Sequence, residues 1–238
     1  MYYILDYSFF PLFRERAGTL TRSRILDAAE LAFAEFGFDG ASLREITQRA
    51  QANVAAVNYH FGSKVDLFRA VLARRLVPLA ERRLTLLDGE LARAREENRP
   101  PRLEALLTAF FAPALELLHG ESHERRDPFL RLMGKVMADP APRILDIFHD
   151  QIAETARRYR QALGQALPSL PPEEVAWCLN FAVGVMVHLM IGREQTRRLV
   201  GELVDVDDDR GALERMVAFS AAGFRDAVRR HDAGKGQR

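Results

Sequence analysis

Between residues 42 and 64 the chain gathers side chains suited to holding a nucleic acid. Asn53, Val54, Ala55 and Asn58 fall within one short segment, 53–59, and all are small. Small side chains let a helix approach the floor of a major groove. Alanine or valine can touch a thymine methyl, and an asparagine amide suits adenine in bidentate fashion. Tyr59 and His60 end the segment, where they suit donation to backbone phosphates. Lys64 stands one residue after Ser63, so its ammonium and the N-terminus of the helix that Ser63 opens suit the same phosphate. Ser42, Arg44, Arg22 and Arg24 are candidates for flanking contacts. Plainer readings stand beside these. Ala55, Ala56, Val57 and Phe61 also read as the core of a small three-helix unit, the better reading for Val57 and Phe61. His60 alone reads as an ordinary surface histidine. No single residue is specific; order and spacing together are.

These side chains need short helices to position them, and the sequence reads as helix after helix. Ile25, Ala28, Ala29, Ala32, Phe33 and Phe36 form an apolar stripe at helical spacing, with Thr19 or Thr21 as its cap and Gly37 as its stop. Ser42 and Glu45 have the spacing of a capping box, in which each side chain satisfies the other's free backbone donor. That opens a short helix to about residue 50. Asn53 caps the next, and Ser63 a longer one through Leu67, Val71 and Leu72. The helices at about 43–50 and 54–60 lie three residues apart, a helix-turn-helix spacing. Further helices read at about 102–119, 128–138, 141–167, 172–192 and 210–230. Pro78 is expected at a bend, and Pro113 is expected to kink the first of these helices.

The expected fold class is therefore all-α. A three-helix helix-turn-helix domain spans 19–76, and a larger helical domain spans 77–238. Residues 1–18 read as an extension: disordered, an arm docked on the body, or a mis-assigned start. With 238 residues, 48% hydrophobic and 28% charged, the chain can bury a real core. Net charge is +1, so composition does not announce a nucleic-acid partner. Residues 19–76 hold 8 basic and 6 acidic side chains, which permits DNA binding without demanding it. Cys178 is the lone cysteine, so no intrachain disulfide forms, and the expected location is cytoplasmic. The apolar run 175–191 contains Asn180 and His188 and is short for a membrane span.

The stretch Ile25-Leu-Asp-Ala-Ala, Phe33, Gly37-Phe38, Ser42-Leu-Arg-Glu-Ile46-Thr47, Ala50, Asn53, Val57-Asn-Tyr-His-Phe-Gly-Ser-Lys64 and Leu67 resembles the DNA-binding domain of TetR-family transcriptional regulators. The ending Tyr-His-Phe-x-Ser-Lys is its most specific part. The resemblance covers about residues 20–72 and implies DNA-facing positions at Ser42, Arg44, Asn53, Val54, Ala55, Asn58, Tyr59, His60 and Lys64. It also implies an all-helical homodimer, a double-stranded operator and a C-terminal domain that binds a small effector. Three positions depart from the family pattern. Gln51 stands where glycine is common in the tight turn, Ala55 where glycine is frequent, and Asn58 where tyrosine is frequent. If the turn needs φ > 0, Gln51 costs about 1 kcal/mol or more.

In the C-terminal part, Phe110, Phe111, Leu115, Phe129, Met133, Met137, Phe148, Trp177, Phe181 and Val185 are the candidate lining of an apolar pocket; a filled core is the competing reading. Residues 126–190 are similar to a fatty-acid-responsive, PsrA-like branch of the family, which implies an acyl effector (a fatty acid or acyl-CoA). Leu179, Val183, Met186, Met190, Met216, Phe219 and Phe224 lie on helices apolar on more than one face, as a dimeric four-helix bundle requires. Catalysis is not expected, and neither is a cofactor, a metal or a membrane partner. There is no Gly-x-Ser-x-Gly elbow, no phosphate loop and no Glu-x-x-His motif; Asp146-Ile-Phe-His149 is the nearest fragment. His119 and His123 have a zinc-like spacing without an evident third ligand. The alternative is a helical ligand-binding or metal-dependent protein without specific DNA binding.

Overall fold

A computed structural model describes residues 10–116, 128–138 and 142–235, with side chains from Thr19 onward. Among these residues there is no strand. The helices are α1 (Phe10–Gly40), α2 (Leu43–Arg49), α3 (Val54–Phe61), α4 (Lys64–Glu96), α5 (Leu103–Glu116), α6 (Pro128–Ala138), α7 (Pro142–Ala166), α8 (Pro172–Val200) and α9 (Asp209–Lys235), with a 3-10 turn at Gly201–Leu203. The all-α expectation agrees with this order.

Several boundaries differ from the pattern reading. Helix α1 begins at Phe10, so Thr19 and Thr21 are interior and not caps. Gly37 breaks its regularity at φ 73°, ψ −179°, a backbone region essentially confined to glycine, and a short helical stretch then continues to Gly40. Helix α4 runs through Pro78, and α5 through Pro113. Helices α8 and α9 extend beyond the expected 192 and 230; charged residues do not end a helix, and in α8 Glu194 pairs with Arg197 and Arg198 one turn on.

The chain divides into two compact units that are not contiguous in sequence. The first holds the described residues up to Arg75 together with α6 and the start of α7, to Phe148. Its core is Ile25, Ala29, Ala32 and Phe33 of α1, Ile46 of α2, Val57 of α3, and Leu67, Phe68, Val71 and Leu72 of α4. Phe33 and Phe38 both meet the Phe68 ring edge-on, at 5.0 and 5.2 Å, a favoured aromatic geometry. Helix α6 packs on α1 and buries Phe129, Leu132 and Val136. The boundary expected near 76 thus omits α6, because an amphipathic helix carries no mark in its own sequence of which surface it will cover. Glu30, buried on α1, pairs with Arg74 and Arg75 of α4 and ties the two helices.

The second unit holds residues 76–116, the rest of α7, and α8 and α9. Leu87, Leu106, Leu107, Phe111, Tyr159 and Phe224 are among its fully buried side chains. Helix α5 packs on α9 and α8, and α8 on α9. The turn into α5 depends on Glu90, buried on α4. Its carboxylate accepts from the Arg102 backbone N–H at 2.9 Å and from Arg99 at 2.8 Å. It thus supplies an acceptor from α4 to the start of α5. By length and composition Pro172–Leu203 is apolar enough to cross a membrane. One face of it, with Val175, Leu179, Ala182 and Met186, is buried in this unit.

Candidate nucleic-acid interface

Two capped helices and one strained turn build the site. Ser42 accepts from the Glu45 backbone N–H at 3.1 Å and starts α2. The capping box forms only by half: Glu45 turns instead to Arg49, one helical turn on, at 2.7 Å. Helix α2 ends in a Schellman motif, with Ala52 N–H donating to the Thr47 carbonyl at 2.9 Å and Gln51 N–H to that of Gln48 at 3.2 Å. That motif requires a left-handed residue, and Gln51 supplies it at φ 49°. Two residues later Asn53 caps α3, accepting from Ala56 N–H at 2.8 Å. The turn is therefore built with the backbone glycine would favour, by a residue that is strained there.

Helix α3 inserts one side chain into the core, Val57, which is fully buried. Asn53, Val54, Ala55, Asn58 and Tyr59 are all exposed, and Tyr59 is 85% exposed. Ser42, Arg44, Arg22 and Arg24 are exposed as well. His60 is half-buried between the rings of Tyr59 and Phe61, and Phe61 carries the Arg22 guanidinium at 5.2 Å. Lys64 is half-buried: its ammonium lies 4.7 Å from the Phe38 ring centre and donates to the Asp39 carbonyl at 3.3 Å. Ser63 is engaged with Asp66, taking its N–H at 3.1 Å and donating to its carboxylate at 2.6 Å. Arg49, by contrast, is exposed and spends its charge on Glu35 and Glu45. The Glu35 hydrogen bond, with Glu45 behind it, raises its pKa further.

Residues 25–71 match the family model for bacterial regulatory proteins of the tetR family, and residues 108–223 match the tetracyclin repressor-like C-terminal domain. The chain belongs to the TetR family. Its N-terminal region is similar to the transcriptional regulator SrpR of Pseudomonas putida, 42% identical over 59 residues, which is 25% of this chain and 28% of that protein. It is also similar to the repressor NicS of Pseudomonas putida, 36% identical over 83 residues, 33% of this chain and 39% of that one. The chain thus spans well under half the length of these relatives. The TetR-family regulator SCO4454 of Streptomyces coelicolor shares the fold, with a TM-score of 0.57 at 16% identity over 94% of this chain and 98% of that one. So does SmeT in complex with triclosan, with 0.55 at 22% identity over 83% and 90%. A Clostridium perfringens structure named for a regulator of fatty acid metabolism gives 0.57 at 18% identity over 84% and 97%.

The expected pocket residues do not come together in one unit. Phe129, Met133, Met137 and Phe148 lie in the unit of the DNA-binding helices, whereas Phe110, Phe111, Leu115 and Val185 lie in the other. Trp177 and Phe181 are 53% and 64% exposed and stack on each other at 5.7 Å, so they form an outer face of α8 and not a pocket wall. A cavity of about 390 Å³ does exist in the first unit, lined by Phe36, Phe38, Phe68, Leu132, Val136 and Ile144 with Asp39 and Lys135. The expected dimer set needs a similar correction. Leu179, Met186, Met216 and Phe224 are buried in the chain's own core and closed to a partner, and Val183 and Met190 are half-buried. Phe219, 72% exposed, remains open. In both sets helical periodicity names an apolar face without saying which surface covers it. Cys178 is half-buried, and burial pushes its thiol up, away from nucleophilic use. His119 and His123 lie outside the described residues, and among the described residues no cluster of three metal-ligating side chains occurs.

The pattern reading missed Arg83 altogether. Leu76, Leu79, Arg83, Leu87, Glu90 and Ala94 form the buried stripe of α4's second half. The signal was available: two charged residues occupy core positions of an otherwise apolar stripe. Glu90 is neutralised by arginines. No carboxylate of the described residues lies within ion-pair reach of Arg83.

Proposed function

We propose that this TetR-family chain is a dimeric, ligand-responsive transcriptional repressor of the cytoplasm that binds a pseudo-palindromic operator. The observation that carries the reading is α3: one residue anchors it, and Val54, Ala55, Asn58 and Tyr59 face outward behind a Schellman turn. With α3 in the major groove, Val54 and Ala55 meet thymine methyls and Asn58 reads adenine. Ser42, Arg44, Asn53, Tyr59, His60, Arg22 and Lys64 hold phosphates. Lys64 reaches a phosphate by leaving the Asp39 carbonyl, a weak hold for an ammonium.

A homodimer through the outer faces of α8 and α9 is supported by the exposed Trp177, Phe181 and Phe219. It would set two recognition helices about one DNA turn, or 34–36 Å, apart. A small apolar effector, with fatty acids and acyl-CoAs as first candidates, binds the second unit and releases the operator. Support comes from the SmeT–triclosan complex and the fatty-acid-metabolism regulator of like fold. Helix α4 carries residues of both units and is the covalent route for the signal. The effector must bind the DNA-competent and released states unequally, or nothing shifts.

The test is fluorescence anisotropy with the upstream intergenic DNA of the protein's own gene beside a scrambled duplex, across a salt series. Tight, sequence-preferring binding that weakens steeply with salt is expected. Weak binding blind to sequence would overturn the operator reading for that DNA and favour a helical ligand-binding protein.

A further inference from the structure

Arg83 is 7% exposed. Its Nε donates to the Phe110 carbonyl at 2.8 Å, its Nη2 to the Met186 sulfur at 3.0 Å, and its Cζ lies 4.1 Å from the Phe110 ring centre. Its Nη1 donates to nothing among the described residues and is not sealed from access. Arginines that are only partly buried nonetheless have carboxylate partners: Arg193 pairs with Asp209, Arg74 with Glu30, Arg99 with Glu90. Tyr159, which donates to the Arg83 carbonyl at 3.1 Å, offers no negative charge, since burial pushes its phenol further above its ordinary range. Burial also draws the guanidinium down to about 10, so it stays cationic at neutral pH.

A buried cation without an anion is costly. A thioether is a poor acceptor for a charged donor, whereas the guanidinium fork fits a planar carboxylate through two parallel hydrogen bonds. We propose that Arg83 anchors the carboxylate of an amphipathic effector, which displaces the Met186 sulfur and lays its apolar body against Phe110 and neighbouring side chains. This rests on the effector-responsive reading above and names the class of ligand. One arginine with no second cation bonded beside it matches a monoanion, so a carboxylate fits better than a doubly charged phosphate monoester. Methionine is unbranched and adaptable, so Met186 can move aside without disturbing a rigid wall.

The test uses the full chain and two probes, decanoate and 1-decanol, followed by calorimetry, with operator anisotropy on the same samples. Wild-type protein is expected to bind decanoate about 10–100-fold more tightly than decanol. Arg83→Met is expected to bind both alike and to melt at or above the wild-type temperature, because apolar replacement of a buried charge is often neutral or stabilising. Arg83→Lys keeps the charge without the fork and is expected to retain a reduced preference for the acid, which decides the matter should the methionine variant not fold. Equal binding of acid and alcohol to wild type, no binding of decanoate, or an unchanged preference in Arg83→Met with a lowered melting temperature would overturn the anchor. Equal binding with intact operator recognition would sink the anchor and spare the regulator. A decanoate preference without operator recognition would do the reverse.

Discussion

Replacing Gln51 by glycine is expected to stabilise the protein without altering what it recognises. Gln51 holds φ 49° at the C-terminal turn of α2, and its side chain is exposed. The substitution therefore removes strain and no packing. A left-handed conformation costs an L-residue about 1–2 kcal/mol. Glycine's freer unfolded chain gives back about 0.4–1 kcal/mol of that gain. The net expectation is about 0.5–1 kcal/mol of added stability, or roughly 1–4 °C in Tm for a chain of this size. Urea titration reads it as a higher midpoint at unchanged slope. Asparagine tolerates the same conformation better than glutamine, so Gln51→Asn is expected to lie between. Both turn hydrogen bonds come from the backbone and survive, so α3 keeps its placement and operator affinity is expected to hold within about threefold, under 1 kcal/mol. A loss of stability in Gln51→Gly, or a large change in operator affinity, would refute the claim that the turn is intact and merely strained.

Gly37→Ala is expected to destabilise by about 1–3 kcal/mol in thermal melts, since φ 73° with ψ −179° is closed to other residues although nothing crowds the site. For Glu90, burial alone raises the carboxyl pKa, but the Arg102 N–H and Arg99 outweigh it and hold the group below its usual range. Its contribution is therefore present above the unfolded-state pKa and lost as pH falls through the lower folded value. Glu90→Ala is expected to cost about 2–3 kcal/mol near neutral pH, and the gap to wild type should narrow in acid-titration melts. Tyr59→Ala is expected to leave the melting temperature alone while weakening operator binding, and Lys64→Ala to reduce the slope of log affinity against log salt by about 1. Phe219→Glu, by placing a charge on an outer apolar face, is expected to convert dimer to monomer in light scattering at constant helicity.

What the sequence determined by itself was local. Ser42, Asn53 and Ser63 each cap a helix through atoms within three residues of their own backbone, so the helix-turn-helix and the outward positions of α3 could be read from spacing alone. The left-handed demand on Gln51 was legible only as a condition, from the glycine common at that turn in the family, and the hydrogen bonds and φ 49° of the folded turn supply it. The tertiary structure decided which apolar face meets which surface. Leu179 and Trp177 stand two residues apart on α8, yet one is buried in the chain's own core and the other faces outward. Helix α6 packs on α1 although some ninety residues of sequence separate them. Glu90 and Arg83 each took part of their role from a partner beyond their own helix, Arg102 and Phe110. Apolar burial is non-directional and has no sequence range, so periodicity can show that a face must be covered, and only the folded chain shows by what.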